Sequence, residues 1–419
     1  MGMAADDEQC TELSNNLRAY IWLVVFSAIF IAQIAIPIGD FPVNAVFVLY
    51  FVTVTIFICE RLIVLRPLPA LMYIIFVIIG YLGVCRGGDM VSANALILVA
   101  VLHVPFIFDP GSSWKLKRIC GYFATVFVTC SMWVAIIAII QFALVNILKL
   151  EILSNIYRVL PDGLHQLGGY TYTAPYHGLI KANGYVFREA SFLSMNMAFA
   201  IIMEAVYLRR RNVLLLLLIA MFLSFSGSGI LVLISATFIP NSRKTLLVAV
   251  LAVVGVVILF QLSTKVPALA LWTQRISEFQ AVGSSGFSRY VAPFIVVLSH
   301  WIHDINNFLF GYGAGSYDRT VRPLSLLLGF EISGANLQKT LYEYGAVGFV
   351  ALDGLFFRRI YKCELRFPLK CAMIYMWLLQ LNGLVEYYII FWIFTLWQSS
   401  QTLLRMGEGA SNCSNRLTT

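Results

Sequence analysis

The chain of 419 residues is 60% hydrophobic and only 12% charged, with a mean hydropathy of +0.83. This composition excludes an ordinary soluble domain, which needs far more polar surface. The net charge is +8, from 29 basic and 21 acidic residues. In a soluble protein this charge would suggest a nucleic-acid partner, but here we assign it to basic loops beside a membrane and predict no nucleic-acid binding.

Apolar blocks long enough to cross a membrane recur from one end of the sequence to the other. A transmembrane helix needs about 17–25 mainly apolar residues, and clear examples cover 20–38, 47–64, 122–148 and 246–262. The first block follows a polar, acidic start, so we interpret it as a retained helix and not as a cleaved signal peptide. We therefore predict an all-α, polytopic integral membrane protein with a single membrane domain over residues 1–419.

Basic residues are concentrated in short loops, which the positive-inside rule assigns to the cytoplasm. The richest of these loops contains Arg358, Arg359, Lys362, Arg366 and Lys370. The stretch 212–240 must then cross the membrane twice, because a single crossing would place this basic loop outside. We predict a break at Ser226–Gly229, since serine and glycine interrupt helices. The result is about 12 transmembrane helices with both termini in the cytoplasm.

Two stretches between apolar blocks are too long to be simple connections, and both lie on the external side in this topology. The first covers residues 149–188 and is rich in aromatic side chains. Tyr172 and Tyr176 are candidates for contact with a sugar ring, and anchoring in the membrane interface is the alternative for each.

The first long loop ends in a charged segment at the mouth of an apolar helix. This segment contains Lys181, Arg188 and Glu189. Charged residues in such positions usually face a cavity or mark the path of a substrate, and a plain interfacial anchor is the alternative.

The second long loop covers residues 265–335 and carries several arginines with few acids, among them Arg289, Arg319 and Arg322. The apolar segment 290–302 is too short to span a membrane, so we predict an interfacial helix. Arginine binds phosphate bidentately and stays charged, which favours an anionic substrate such as a lipid pyrophosphate. No acidic pair has metal-like spacing, so we expect the arginines to neutralise the leaving group without a metal or other cofactor.

Four patches occur in an order that resembles one known family. They are 181–192 (KANGYVFREASF), 224–229 (SFSGSG), Ser288–Arg289 with 309–315 (LFGYGAG), and 335–348 (ANLQKTLYEYGAVG). Together they resemble the O-antigen polymerase and ligase superfamily, which includes the Wzy-type polymerases. Ala190 replaces the proline usual in the first patch, and Ala335 stands at the histidine position of the fourth.

The resemblance implies a GT-C-type glycosyltransferase in the inner membrane of a bacterium. Its substrates would be undecaprenyl-pyrophosphate-linked oligosaccharides, polymerised at the periplasmic face into O-antigen, capsule or exopolysaccharide. A chain-length regulator, a flippase and membrane lipids are the implied partners. The absent histidine favours a polymerase over a ligase, which would transfer polysaccharide to a lipid A core or a protein.

The resemblance also suggests roles for individual residues. Arg289 and Arg188 would clamp the pyrophosphate, with support from Lys181. Glu189 is either the base for the acceptor or a partner that positions Arg188, and we favour positioning. Contacts with the substrate are expected from Arg319, Arg322, Tyr172, Tyr176 and Asn336.

A transporter or flippase of lipid-linked sugars is the alternative from another functional class. Transporters usually contain internal repeats and charges buried in the middle of helices. The sequence indicates neither feature clearly, because its unusual charges lie in loops on one side.

Overall fold

A computed structural model of the chain describes residues 13–38, 41–111, 114–161, 164, 179–237, 280–301, 304–380 and 385–397. These residues are mainly helical, which confirms the predicted all-α class. The α-helices are α1 (Asn15–Phe26), α2 (Ala45–Cys59), α3 (Pro67–Arg86), α4 (Ala93–His103), α5 (Trp114–Asn146), α6 (Ala190–Met203), α7 (Arg211–Leu223), α8 (Gly227–Thr237), α9 (Ala292–Trp301), α10 (Ile305–Phe310), α11 (Ser316–Leu328), α12 (Asn336–Lys362), α13 (Phe367–Leu379) and α14 (Val385–Thr395).

Four short strands form two small antiparallel pairs, which the prediction did not include. The first pair joins β1 (Ala35–Ile38) to β2 (Phe41–Asn44), and the second joins β3 (Ile63–Leu65) to β4 (Phe108–Pro110). Each pair links the ends of helices and not their cores, so the helical class is unchanged.

Three helical segments are long and apolar enough to cross a membrane, namely Pro67–Arg86, Lys115–Asn146 and Ala190–Leu208. Further apolar helices in the described residues are only 10–17 residues long. The count of about 12 transmembrane helices, with both termini in the cytoplasm, therefore stays a prediction.

Helix α6 lies at the centre of the described bundle, and nearly all its side chains are buried. It packs against α5, α7, α8 and α13. The apolar stretch 212–240 is divided as predicted, although the break lies at 224–226, slightly before the expected position. Because both α7 and α8 pack along α6, the chain reverses direction at this break.

The described part of the second long loop is more helical than a single interfacial helix. It contains a π-helical turn at Phe287–Val291, followed by α9, α10 and α11. The predicted segment 290–302 corresponds mainly to α9. Pro293 is the second residue of α9, which directly follows the π-helical turn.

Helix α12 bends sharply at Gly345, whose φ of 66° and ψ of −173° are not helical. The Asn336 side chain donates a hydrogen bond to Asp353 Oδ1 over 2.7 Å. On a straight helix these residues would be about 25 Å apart, at 1.5 Å per residue. The two parts of α12 therefore fold back against each other at Gly345.

One detail of the predicted basic loop was wrong. Arg358, Arg359 and Lys362 belong to α12 and not to a loop. Arg358 binds both carboxylate oxygens of Asp109 in β4, over 2.6 and 2.5 Å. This bidentate pair ties the end of α12 to the connection between α4 and α5.

Candidate functional site

The charged end of the first long loop is held in place by two polar side chains of α5. Gln141 donates to Asn183 Oδ1 over 2.7 Å and accepts from the Asn183 backbone N–H over 3.1 Å. Asn146 makes a matching pair of hydrogen bonds with the backbone of Ile180, over 3.0 and 2.8 Å. We name residues 179–189 the site loop, because these bonds determine where its charged residues lie.

The site loop then turns so that α6 begins directly after its charged residues. Tyr185 has a φ of 65°, an uncommon value for a residue with a side chain. The strain is offset by hydrogen bonds from its N–H to Gln141 and Asn183, over 3.3 and 3.0 Å. The Asn183 amide also donates to the carbonyl oxygen of Phe187 over 2.9 Å. The asparagine of the first sequence patch is thus a buried structural residue.

Glu189 and Arg289 form an ion pair, although they come from different long loops. Arg289 Nη2 donates to Glu189 Oε2 over 2.5 Å. Ser191, in the first turn of α6, donates to the same carboxylate oxygen over 2.9 Å and accepts from Arg289 Nη1 over 3.3 Å. The three side chains form a closed triangle at the start of α6, which we name the Arg289 triangle.

The segment that carries Arg289 is itself fixed on two sides. The carbonyl of Ser288 accepts the N–H of Ser333 over 3.1 Å, which joins this segment to the chain before α12. The neighbouring Tyr290 hydroxyl is hydrogen-bonded to Gln380 at the end of α13, and Gln380 also donates to Tyr375 over 3.0 Å. Arg289 therefore lies in a turn that hydrogen bonds fix on both sides, and not in a free loop.

Arg289 remains charged, and some of its N–H groups are available to bind a ligand. Burial opposes its charge, but the carboxylates of Glu189 and Glu331 outweigh this effect and raise the pKa of Arg289. A guanidinium has five N–H donors, and two of them are used in the triangle. The others have no partner among the described residues, and the side chain is 33% exposed. One part of the group is thus held by protein while another can bind an anion.

A second acid lies within electrostatic range of Arg188 and was not identified from the sequence. The positive charge of Arg188 acts on Glu386, which is the second residue of α14. Glu386 is only 4% exposed, and its Oε2 atom has no hydrogen-bond partner among the described residues. The sequence did contain a signal for it, because an acid within an apolar run is a mark of function in membrane proteins.

The remaining predicted site residues have varied positions. Lys181 lies in the site loop and is partly exposed, whereas Tyr172 and Tyr176 lie outside the described residues. Arg319 donates to the backbone carbonyls of Asp89 and Val91, so it anchors α11 to the connection between α3 and α4.

Two further candidates differ in whether their side chains have hydrogen-bond partners. Arg322 is exposed and has no partner among the residues that the structure describes. Asn336 points into the bundle towards Asp353 and not along the surface of the Arg289 triangle. A role of Asn336 in substrate binding stays a prediction.

The third sequence patch, within the second loop, packs against the fourth patch. The N–H of Gly313 donates to the carbonyl of Glu343 over 2.8 Å. The Glu343 carboxyl lies near the backbone N–H groups of Gly315 and Tyr317, at the start of α11. Because an acid at a helix N-terminus satisfies unpaired N–H groups, we assign Glu343 a structural role.

Comparison of the chain with protein-family models finds no matching family, and comparison with curated proteins finds no matching relative.

Proposed function

We propose that the chain is a membrane glycosyltransferase that polymerises oligosaccharide repeat units carried on a lipid pyrophosphate. The reaction would take place at the periplasmic face of a bacterial inner membrane, with undecaprenyl pyrophosphate as the lipid carrier. The proposal is carried by one observation, the Arg289 triangle, in which an arginine with free donors is braced by residues of both long loops.

The chemistry requires a strong anion site beside a membrane. The growing chain on its lipid pyrophosphate is the donor, and a hydroxyl of the next repeat unit attacks the anomeric carbon with inversion. The bond from this carbon to the pyrophosphate breaks, a glycosidic bond forms, and the hydroxyl proton is released. Arg289 would neutralise the charge that develops on the leaving pyrophosphate, and Arg188, just before α6, would provide a second cation.

The Glu189 carboxylate fits a positioning role better than a role as base in this scheme. It already accepts hydrogen bonds from Arg289 and Ser191 on one oxygen. The partner that it positions is then Arg289, whereas the sequence suggested Arg188. Charge-assisted hydrogen bonds of this kind are worth roughly 1.5–3 kcal/mol each, enough to hold a guanidinium in one orientation.

Two alternatives lead to different products. A ligase would transfer finished polysaccharide from the same lipid to a lipid A core or a protein. A transporter or flippase is favoured by buried acids within helices, since Asp353 is fully buried in α12 and Glu386 lies in α14. The sequence did not indicate these buried acids clearly, because its unusual charges lie in loops on one side.

The test is reconstitution of the purified chain with undecaprenyl-pyrophosphate-linked repeat units, followed by chain-length analysis of the product on a gel. A polymerase should produce a ladder of lengths, and the ladder should persist in excess EDTA. Activity that returns only with added Mg²⁺ or Mn²⁺ would refute the role of arginines in place of a metal. Deletion in cells should leave single repeat units for a polymerase, polymer on undecaprenyl for a ligase, and no external repeat units for a flippase.

A further inference from the structure

A group of buried polar side chains lies inside the bundle, where α4, α12, α13 and α14 meet. At its centre is Asp353, which is 0% exposed. Its Oδ1 atom accepts hydrogen bonds from Trp377 Nε1 over 2.6 Å and from Asn336 Nδ2 over 2.7 Å. The Thr340 hydroxyl also approaches the carboxyl group. All these neighbours are uncharged, so none of them compensates a negative charge on Asp353.

His103 of α4 belongs to the same group and is also fully buried. Its ring meets the ring of Trp377 edge-on, with centroids 5.6 Å apart, and that of Tyr388 at 5.2 Å. His103 Nδ1 lies 2.7 Å from the carbonyl oxygen of Val99. Because a carbonyl can only accept, Nδ1 carries the proton and Nε2 presents a lone pair.

Three buried atoms in this group lack hydrogen-bond partners among the described residues, Asp353 Oδ2, His103 Nε2 and Tyr344 Oη. No two of these atoms are hydrogen-bonded to each other, and the side chains of Asp353 and His103 both contact Trp377. An ionised carboxylate without a cation in a dry interior is very costly, and such a group keeps its proton instead.

We propose that Asp353 and His103, with Tyr344 and Tyr388 around them, form a buried proton-binding site. The proton resides on Asp353 in the resting protein, and His103 is a second buried titratable group, whose ring contacts Trp377. Tyr388 interacts electrostatically with Asp353, and Tyr344 interacts with Tyr388 and with the buried Glu343. The ligand of the site is a proton, and no other cation is required to balance the cluster.

The site has a structural connection to the Arg289 triangle. Asp353 binds Asn336 at the start of α12, and three residues earlier Ser333 binds the backbone of Ser288, next to Arg289. Ionisation of Asp353 would place an uncompensated negative charge inside the bundle beside this connection. If the proposed function is correct, polymer formation should therefore fall at alkaline pH in the wild type and fall less in Asp353→Asn.

The decisive experiment does not depend on the proposed function. Infrared spectra of the purified protein at neutral pH should contain the C=O stretching band of a protonated carboxyl group. Asp353→Asn should remove part of this band, which is measured in the difference spectrum between wild type and the variant. Glu204→Gln is the matched control, because Glu204 is also fully buried but is ion-paired with Arg210 over 2.8 Å and should contribute no such band.

Two further variants keep the test informative. His103→Gln should leave the area of the Asp353 band unchanged, because His103 is not hydrogen-bonded to Asp353. Asp353→Asn should fold nearly as well as wild type, since an amide replaces a neutral acid of the same shape, whereas Asp353→Ala should be less stable. A band unaltered by Asp353→Asn, or an Asn variant that folds as poorly as the Ala variant, would show that Asp353 is ionised and would overturn the proposal.

Discussion

Arg289 and Glu189 lie 100 residues apart in the sequence, yet their side chains form an ion pair of 2.5 Å. Arg289 lies in the π-helical turn before α9, within the second long loop, whereas Glu189 follows the first long loop and directly precedes α6. Ser191 contacts both. The arrangement means that neither loop alone forms the site, and that a change in one residue of the pair alters the orientation of the other.

Arg289 should be essential for polymer formation if it neutralises the leaving pyrophosphate. We expect Arg289→Ala to lose at least about a hundredfold in rate, at roughly 1.4 kcal/mol per tenfold. Arg289→Lys should also fail to restore full polymer, because lysine lacks the planar fork. The measurement is polymer length and yield at equal protein level, with Arg158→Ala, an arginine paired with the exposed Glu151, as control. Normal polymer from the lysine variant would remove Arg289 from the site.

Substitution of Glu189 should distinguish positioning from general-base catalysis. If Glu189 positions Arg289, Glu189→Gln keeps an oxygen acceptor and should lose only about tenfold in rate, at 1.4 kcal/mol per tenfold. A base would instead contribute about 10²–10⁴-fold, which Gln and Ala would lose alike. The pH profile of the reaction is the second readout, since loss of a base removes the acidic limb. Equal rates for the Gln and Ala variants would contradict positioning.

The bidentate pair of Asp109 with Arg358 should stabilise the fold in a pH-dependent way. Burial opposes ionisation, but the hydrogen bonds and charge of Arg358 outweigh it and lower the pKa of Asp109. A lowered folded-state pKa gives stability that is present above the unfolded value of about 3.9 and is lost as the pH falls through the folded value.

Thermal unfolding in detergent provides the measurement for this pair. Asp109→Asn should be less stable at pH 7, and breaking a buried pair costs about 3–5 kcal/mol. The difference from wild type should shrink below about pH 4. Asp318→Asn is the control, because the Asp318 side chain is 65% exposed and its bond to Lys339 should contribute little. Equal unfolding temperatures for wild type and Asp109→Asn at pH 7 would disprove the contribution.

Gly345 should tolerate no side chain, because the fold of α12 depends on its conformation. A Cβ atom there would lie 2.4 Å from the carbonyl carbon of Leu309, and its backbone is in a region that is nearly restricted to glycine. We expect Gly345→Ala to lower the unfolding temperature strongly, with the backbone alone costing about 1–3 kcal/mol. Gly121→Ala, within α5 and facing open space, should be neutral or slightly stabilising. A similar result for both variants would argue against the bend.

The membrane topology can be tested with reporter fusions. A fusion at Gly283 should be active only as a periplasmic reporter, whereas fusions at Arg210 and Lys362 should report the cytoplasm. A further fusion at Lys244, which lies outside the described residues, tests the two crossings that follow from the break at 224–226. An external Lys244 would exclude the model with about 12 helices.

The sequence was sufficient for the helical class, for the break in 212–240 and for the choice of Glu189 and Arg289 as site candidates. These features depend on local signals, since apolar periodicity, serine and glycine breaks, and charges beside apolar helices act over a few residues. The sequence could not identify Glu386 as the neighbour of Arg188, because nothing local connects α14 with the site loop.

Only the tertiary structure decided which charged groups meet. Gln141 and Asn146 hold the site loop to the end of α5, and the braced turn before α9 brings Arg289 to Glu189. The fold of α12 at Gly345 likewise brings Asn336 to Asp353, which a linear helical pattern would place far apart. The physical reason is that burial, hydrogen bonds and ion pairs act over a few ångströms in space, whereas a sequence pattern reports only neighbours along the chain.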